Sequence, residues 1–184
     1  MNRKKILAIS GSTRKASVNL QILLFIEQLY HADADFIIYN EIDSLPHFNP
    51  DIDREPFPDT VIHFRKLIEN ADGVLICTPE YVFSLPGSFK NAIEWCVSTT
   101  LFTDKPVALI TASSSGRVAH ESLNLVMRTV GARLNNKCSI LISAPKTKVS
   151  VDGQVTDENT LSAIRELMQT FLQMLQENEV PLAD

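Results

Sequence analysis

Five short apolar runs, each followed by a longer stretch of helical periodicity, constrain this chain more than any other feature of its sequence. Lys5–Ser10, Asp35–Tyr39, Gly73–Thr78, Val107–Ala112 and Cys138–Ser143 have strand length and are rich in aliphatic and β-branched residues. Helical patterns follow at Ser17–Tyr30, Asp59–Asn70, Gly87–Val97, Val118–Val130 and Asp157–Glu177. A βα alternation sustained along the chain predicts an α/β fold, a parallel sheet with helices on both faces. Val74-Leu75-Ile76-Cys77 and Val107-Ala108-Leu109-Ile110 are continuously apolar, as strands are when both faces of the sheet are covered. In the last helix Leu161, Ile164, Leu167, Met168, Phe171 and Leu175 form one stripe, which predicts that it closes one face.

The 184 residues suit one core, and residues 1–184 are expected to form a single domain. With 45% hydrophobic and 21% charged residues the chain is neither disordered nor fibrous. The longest unbroken apolar run is Ile22 to Ile26, far short of the roughly 20 residues that cross a bilayer, so no membrane span or secretory signal is expected. A net charge of −5, from 17 Lys+Arg against 22 Asp+Glu, is the wrong sign for tracking phosphates and argues against a nucleic-acid partner. Cys77, Cys96 and Cys138 are odd in number and form no C-x-x-C pair, which suggests neither disulfides nor a cysteine zinc site and fits a reducing cytoplasm. Two connections are long. Asn40 to Pro58 carries Pro46, Pro50, Pro56 and Pro58 and reads as an ordered, non-helical excursion, and Ala144 to Val155 is the second.

In an open α/β sheet the ligand lies beyond the carboxyl ends of the strands, so the loops after strands one, three and four are the candidates. The first places Ser10, Gly11, Ser12, Thr13, Arg14, Lys15 and Ser17 between a strand and a helix. Hydroxyls, a helix N-terminus and a fork-shaped cation suit a phosphate. The plainer alternative is that Ser17 caps the helix and Gly11 turns the chain. The second loop, Thr78 to Trp95, sets Tyr81 and Phe83 between two prolines, where a flat heteroaromatic ring would meet Tyr81 and the backbone of Pro79 to Val82. Packing under the loop or against a second subunit is the alternative for Phe83, Leu85 and Trp95, and is preferred for Trp95. The third, Ser113-Ser114-Ser115-Gly116-Arg117, offers small donors around a glycine.

No G-x-x-x-x-G-K-[ST] or G-x-G-x-x-G is present, so a mononucleotide phosphate fits better than a triphosphate or a dinucleotide, and Glu41 reads as a surface residue. His31, His47, His63 and His120 have no ligand spacing and read as structural or surface residues. Asp51 and Asp53 lack the glycine and distal glutamate of a calcium loop and read as solvated carboxylates. No metal site is expected.

Two motifs resemble those of the NADPH-dependent FMN reductases, a family of flavodoxin-like fold. Gly11-Ser12-Thr13-Arg14-Lys15-Ala16-Ser17-Val18-Asn19 looks like the family's G-S-x-R-x-x-S-x-N phosphate loop. Pro79-Glu80-Tyr81-Val82-Phe83-Ser84-Leu85-Pro86-Gly87-Ser88-Phe89-Lys90-Asn91-Ala92-Ile93-Glu94-Trp95 looks like P-E-Y-N-x-S-x-P-G-x-L-K-N-A-I-D-W. The resemblance runs from the first strand through the fourth helix to Gly131-Ala132. It implies a three-layer sandwich around a five-stranded parallel sheet of order 2-1-3-4-5. It also implies FMN as cofactor and NADPH or NADH as donor. Ser10, Ser12, Thr13, Arg14, Ser17 and Asn19 would surround the phosphate, Pro79, Glu80, Tyr81, Val82 and Phe83 the ring and ribityl chain, and Ser113, Ser114, Ser115 and Gly116 the far side. Val82 stands where many relatives have asparagine, and the third loop is poorer in glycine than the usual pattern.

The flavin would carry the hydride chemistry, so no side chain is assigned as a catalytic acid or base. The expected function is that of a cytoplasmic NAD(P)H-dependent flavoprotein oxidoreductase that delivers electrons to a small-molecule acceptor such as free flavin, a quinone, an azo compound or a metal oxyanion. The alternative is a flavodoxin-like electron carrier that holds FMN without nicotinamide turnover. A homo-oligomer, dimer or tetramer, is expected from the aromatic second loop and its helix.

Overall fold

In the computed structural model, which describes residues 3–177, neighbouring letters within each strand part to opposite sides of one sheet. The strands are β1 (Lys4–Ser10), β2 (Ala34–Tyr39), β3 (Gly73–Thr78), β4 (Val107–Ser113) and β5 (Ser139–Ser143), all parallel, in the order β2-β1-β3-β4-β5. Leu7, Ile9, Val74, Ile76, Val107 and Leu109 face α2 (Asp59–Glu69), α3 (Gly87–Glu94) and α4 (Arg117–Thr129). Ile6, Ala8, Leu75, Cys77, Ala108 and Ile110 face α1 (Val18–Tyr30) and α5 (Glu158–Glu177). The period of two along a strand therefore feeds two separate cores, and the continuous apolar runs are its direct result. Each fully buried aliphatic side chain in these layers contributes roughly 1.5–3 kcal/mol. The flavodoxin-like sandwich expected above is the fold observed.

The stripe of α5 is buried at Ile164, Leu167, Met168, Phe171 and Leu175. The first turn of that helix is capped by Asp157, whose Oδ1 accepts from the Thr160 N–H at 2.8 Å. Among the described residues no helix is long and apolar enough to cross a membrane.

Three expectations need correction. The third helix ends at Glu94 rather than Val97. Its end is fixed from outside: the Trp95 ring is buried, its Nε1–H donates to the Pro46 carbonyl at 2.7 Å, and Arg65 Nε donates to the Trp95 carbonyl at 2.7 Å. The Asn40 to Pro58 excursion is not wholly irregular, since Ile42–Ser44 and Pro50–Ile52 are 3₁₀ turns. It is ordered as expected. Asn91 holds it, donating to the Pro46 carbonyl at 3.0 Å and accepting from the Phe48 N–H at 2.7 Å. Asp53 is not solvated. Its side chain is 6% exposed and pairs with Arg65 at 2.6 Å. Burial raises its pKa, but hydrogen bonds from Ser98 and Arg65 and the Arg65 charge more than offset that and hold it below the ordinary value.

His120 is held between two strands, its ring nitrogens lying 2.9 Å from Thr111 Oγ1 and 3.2 Å from Ser139 Oγ. All three cysteines are unpaired and buried. Burial raises each thiol pKa, that of Cys96 to about 12 and that of Cys138 to about 11. A thiol reagent added to native protein at pH 8 is expected to titrate none of the three, and all three after denaturation; rapid reaction of even one in the native state would contradict the packing.

Candidate functional site

Strand order reverses between β1 and β3, both of which neighbour each other in the sheet while their chain continuations run to opposite edges. A crevice at their carboxyl ends is the geometric result. There lies a cavity of about 420 Å³ bounded by the loops after β1, β3, β4 and β5.

The β1 loop brings Ser12, Arg14, Ser17 and Asn19 to the cavity wall. Ser17 stands at the N-cap of α1 in extended conformation, yet its side chain makes no capping hydrogen bond. The simple cap reading is thus only half right: the position is filled, but the hydroxyl makes no cap bond and Ser17 lines the cavity. Asn19 is also buried and accepts the Cys77 thiol proton, Sγ to Oδ1 3.4 Å. Ser10 and Thr13 do not line the cavity. Ser10 is fully buried beneath the loop, its Oγ lying 3.4 Å from the Ser12 N–H that it accepts, whereas Thr13 is exposed.

The β3 loop contributes Pro79, Glu80 and Tyr81 to the wall. Glu80 uses both carboxylate oxygens elsewhere. Oε1 accepts from the Gly116 N–H at 3.1 Å and Oε2 from the Ala119 N–H at 2.9 Å. These are donors at the start of α4, where the N-cap is Gly116 at φ +82°, with no side chain of its own to offer. One loop of the site therefore caps the helix that carries another. From the β4 loop Ser113 and Ser114 reach the cavity, while Ser115 and Gly116 do not line it.

Val82 and Phe83 do not line the cavity and are exposed. They are the central pair of a tight hairpin in which Tyr81 and Ser84 exchange backbone hydrogen bonds, both 3.0 Å, and both residues have positive φ, 51° and 54°. That is type I′ geometry, which favours Asn and Gly; a β-branched valine there is strained by about 1–2 kcal/mol. The asparagine of the resembling motif suits this backbone irrespective of any contact. Val82→Gly is accordingly expected to stabilise the fold by about 1 kcal/mol, a rise of roughly 2–4 °C in the thermal midpoint at this chain length. An unchanged or lower midpoint would remove strain from the account of this turn. Val82 is 96% exposed, so no packing is lost.

A fourth wall comes from the segment after β5. Ala144, Pro145, Lys146 and Thr147, directly after β5, also line the cavity. Their only signal in the sequence is position after a fifth strand's carboxyl end, because no motif marks them.

The cavity thus has hydroxyls, two cations and a helix N-terminus, and its one carboxylate is already engaged. Such a donor set fits a phosphate monoester, and the walls beyond it are shaped by Pro79, Tyr81 and small residues such as Ala112. Residues 4–145 match the family described as NADPH-dependent FMN reductase. The chain is 34% identical over 172 residues to the NADH:(hydroxy)cinnamate reductase subunit CrdA of Vibrio ruber, covering 90% of this chain and 84% of that one. It is 30% identical over 182 residues to a quinone reductase of Escherichia coli, covering 94% and 95%. Among solved structures it resembles FerB, a flavoenzyme NAD(P)H:(acceptor) oxidoreductase from Paracoccus denitrificans, with a TM-score of 0.78, 28% identity, and coverage of 95% of this chain and 98% of that one.

Proposed function

The chain belongs to the NADPH-dependent FMN reductase family, and from that premise we propose that it is a cytoplasmic, homo-oligomeric reductase that holds FMN in the cavity between the β1, β3 and β4 loops. It is an oxidoreductase whose cofactors are FMN and a reduced nicotinamide dinucleotide.

The observation that carries the assignment of the site is the presence on one cavity wall of a buried Ser17 that makes no capping hydrogen bond and an Arg14 that forms no ion pair among the described residues. Ser12, Ser17 and the first N–H groups of α1 would hold the phosphate oxygens, and Arg14 would neutralise their charge. Pro79, Tyr81, Ser113 and Ser114, which line the same cavity, would bound the rest of the cofactor. Bound FMN supplies hydride acceptance from the nicotinamide and electron release to the acceptor. The protein's part is to fix the geometry and exclude water around it. Asn19, held by Cys77, keeps the phosphate loop against β3. The acceptor class is small and oxidising, such as a quinone or a free flavin, because both the entering donor and the acceptor must use one cavity of limited volume in turn.

Exposed apolar residues support the oligomer: Phe83 at the hairpin tip, Val97 after α3, and Val118 and Leu125 on α4. A monomeric mass by light scattering at micromolar concentration would contradict it. The function itself is tested by reconstituting purified protein with FMN and adding NADPH or NADH anaerobically. Rapid bleaching of the bound-flavin absorption, with turnover on adding a quinone, is expected. Flavin that binds but is not bleached would turn the reading to an electron carrier, and no binding at all would remove the site.

A further inference from the structure

We infer that Lys146 is a second phosphate-binding cation of this cavity, reaching it from the strap after β5 and facing the same monoester dianion chemistry as Arg14. The inference rests on the FMN reading above and goes beyond it. Residues 4–145 are those the family match covers, so Lys146 lies just outside them.

The strap is built to hold that lysine beside the start of α1. Ala144 takes a left-handed conformation, φ 49°, and its N–H donates to the Ser113 carbonyl at 3.1 Å, which anchors one end of the strap to the β4 loop. Pro145 is buried, and Thr147 folds its hydroxyl back onto the Ala144 carbonyl at 2.9 Å, closing a 3₁₀ turn around Lys146. Further on, Val149 pairs with Val155, and the tip comes down on α1, where Gln21 Nε2 approaches the Val151 carbonyl at 3.4 Å. Gln21 is one helical turn beyond Ser17. Lys146 is therefore carried between the β4 loop and the N-terminal turn of α1, and it lines the cavity together with Arg14 and Ser17. No ion pair or hydrogen bond engages its ammonium among the described residues, and the carboxylate that shares the cavity, Glu80, gives both oxygens to α4. Among the described residues neither Arg14 nor Lys146 has an ion pair, Ser17 is a buried residue that makes no capping hydrogen bond, and all three line one space with the N-terminus of α1. The monoester is either the FMN phosphate or the 2′-phosphate that separates NADPH from NADH.

Lys146→Gln and Lys146→Arg test this on the full chain, with apoprotein titrated by FMN and by riboflavin, which lacks the phosphate, and with KM measured for NADPH and NADH. If the flavin phosphate is the ligand, Lys146→Gln weakens FMN binding roughly tenfold, the scale of one charge-assisted hydrogen bond. Riboflavin binding is then unchanged, and Lys146→Arg restores FMN affinity. If the donor phosphate is the ligand, FMN binding is unchanged and KM rises for NADPH but not for NADH. Unchanged FMN binding and an unchanged NADPH-to-NADH ratio overturn the inference while leaving the FMN reading intact, and so does equal weakening of FMN and riboflavin. Failure of the unsubstituted protein to bind FMN overturns that reading first.

Discussion

Gly11→Ala is expected to lower stability by about 3 kcal/mol, the upper part of the range for overpacking, and to drop the thermal midpoint by roughly 10 °C for a chain of this length. A Cβ at position 11 would sit 2.2 Å from Thr78 Oγ1, 2.5 Å from Thr78 Cβ and 3.1 Å from Thr78 Cα. Rotating a side chain relieves only the first of these. The other two belong to parts of β3 that move only with the backbone. The strand ends are also tied together there, since the Gly11 N–H donates to the Cys77 carbonyl at 2.8 Å. The overlap must therefore open the β1–β3 seam at the floor of the cavity. FMN affinity is expected to fall by at least tenfold, because the loop that follows Gly11 carries Ser12, Arg14 and Ser17. Combining Gly11→Ala with Thr78→Gly should destabilise less than the sum of the two single changes. A Gly11→Ala protein with native midpoint and native FMN affinity would show that the seam accommodates a methyl group.

Glu80→Ala is expected to cost about 2 kcal/mol, combining the loss of a charged acceptor for two helix N–H groups with the loss of a favourable charge at a helix N-terminus. Both α4 donors that Glu80 satisfies would then need water at a partly buried helix start. The thermal midpoint should fall by about 6 °C. Glu80→Gln, which keeps one acceptor oxygen and loses the charge, should recover part of this. The two variants should also separate structure from chemistry. The bond from Glu80 links the β3 and β4 loops, so its loss should weaken riboflavin and FMN alike, unlike a change at a phosphate-binding residue. Equal stability of Glu80→Ala and the unsubstituted protein would mean that Gly116 and Ala119 find other acceptors.

The sheet was largely legible beforehand because its signals are local. Gly73–Thr78 reads as a strand because its apolar letters have no polar alternation, and the structure buries all six residues. The stripe on α5 read as a face and is one. The Ser12 to Asn19 loop and the P-E-Y motif are legible because each gathers its polar groups within ten or so consecutive residues, and both contribute to the cavity wall. What failed were pairings at a distance. Asp53 reads as solvated in the sequence because its partner, Arg65, lies one helix further on and is fixed there by the Trp95 carbonyl. The third helix reads longer in the sequence than it is because its stop comes from Pro46 and Arg65 rather than from any breaker of its own.

By itself, then, the sequence determined the βα alternation, the two-sided burial of the strands and the placing of a loop rich in hydroxyls and cations after the first of them. These follow from periodicity and from residue chemistry within one turn of chain. Tertiary structure alone decided that Gly11 is a packing contact to Thr78, that Glu80 serves α4, and that Lys146 joins the cavity from a strap more than a hundred residues beyond Arg14. The physical reason is the parallel sheet itself. Its crossovers gather the carboxyl ends of strands far apart in the chain along one edge, so neighbours there share no window of sequence in which their contact could be read.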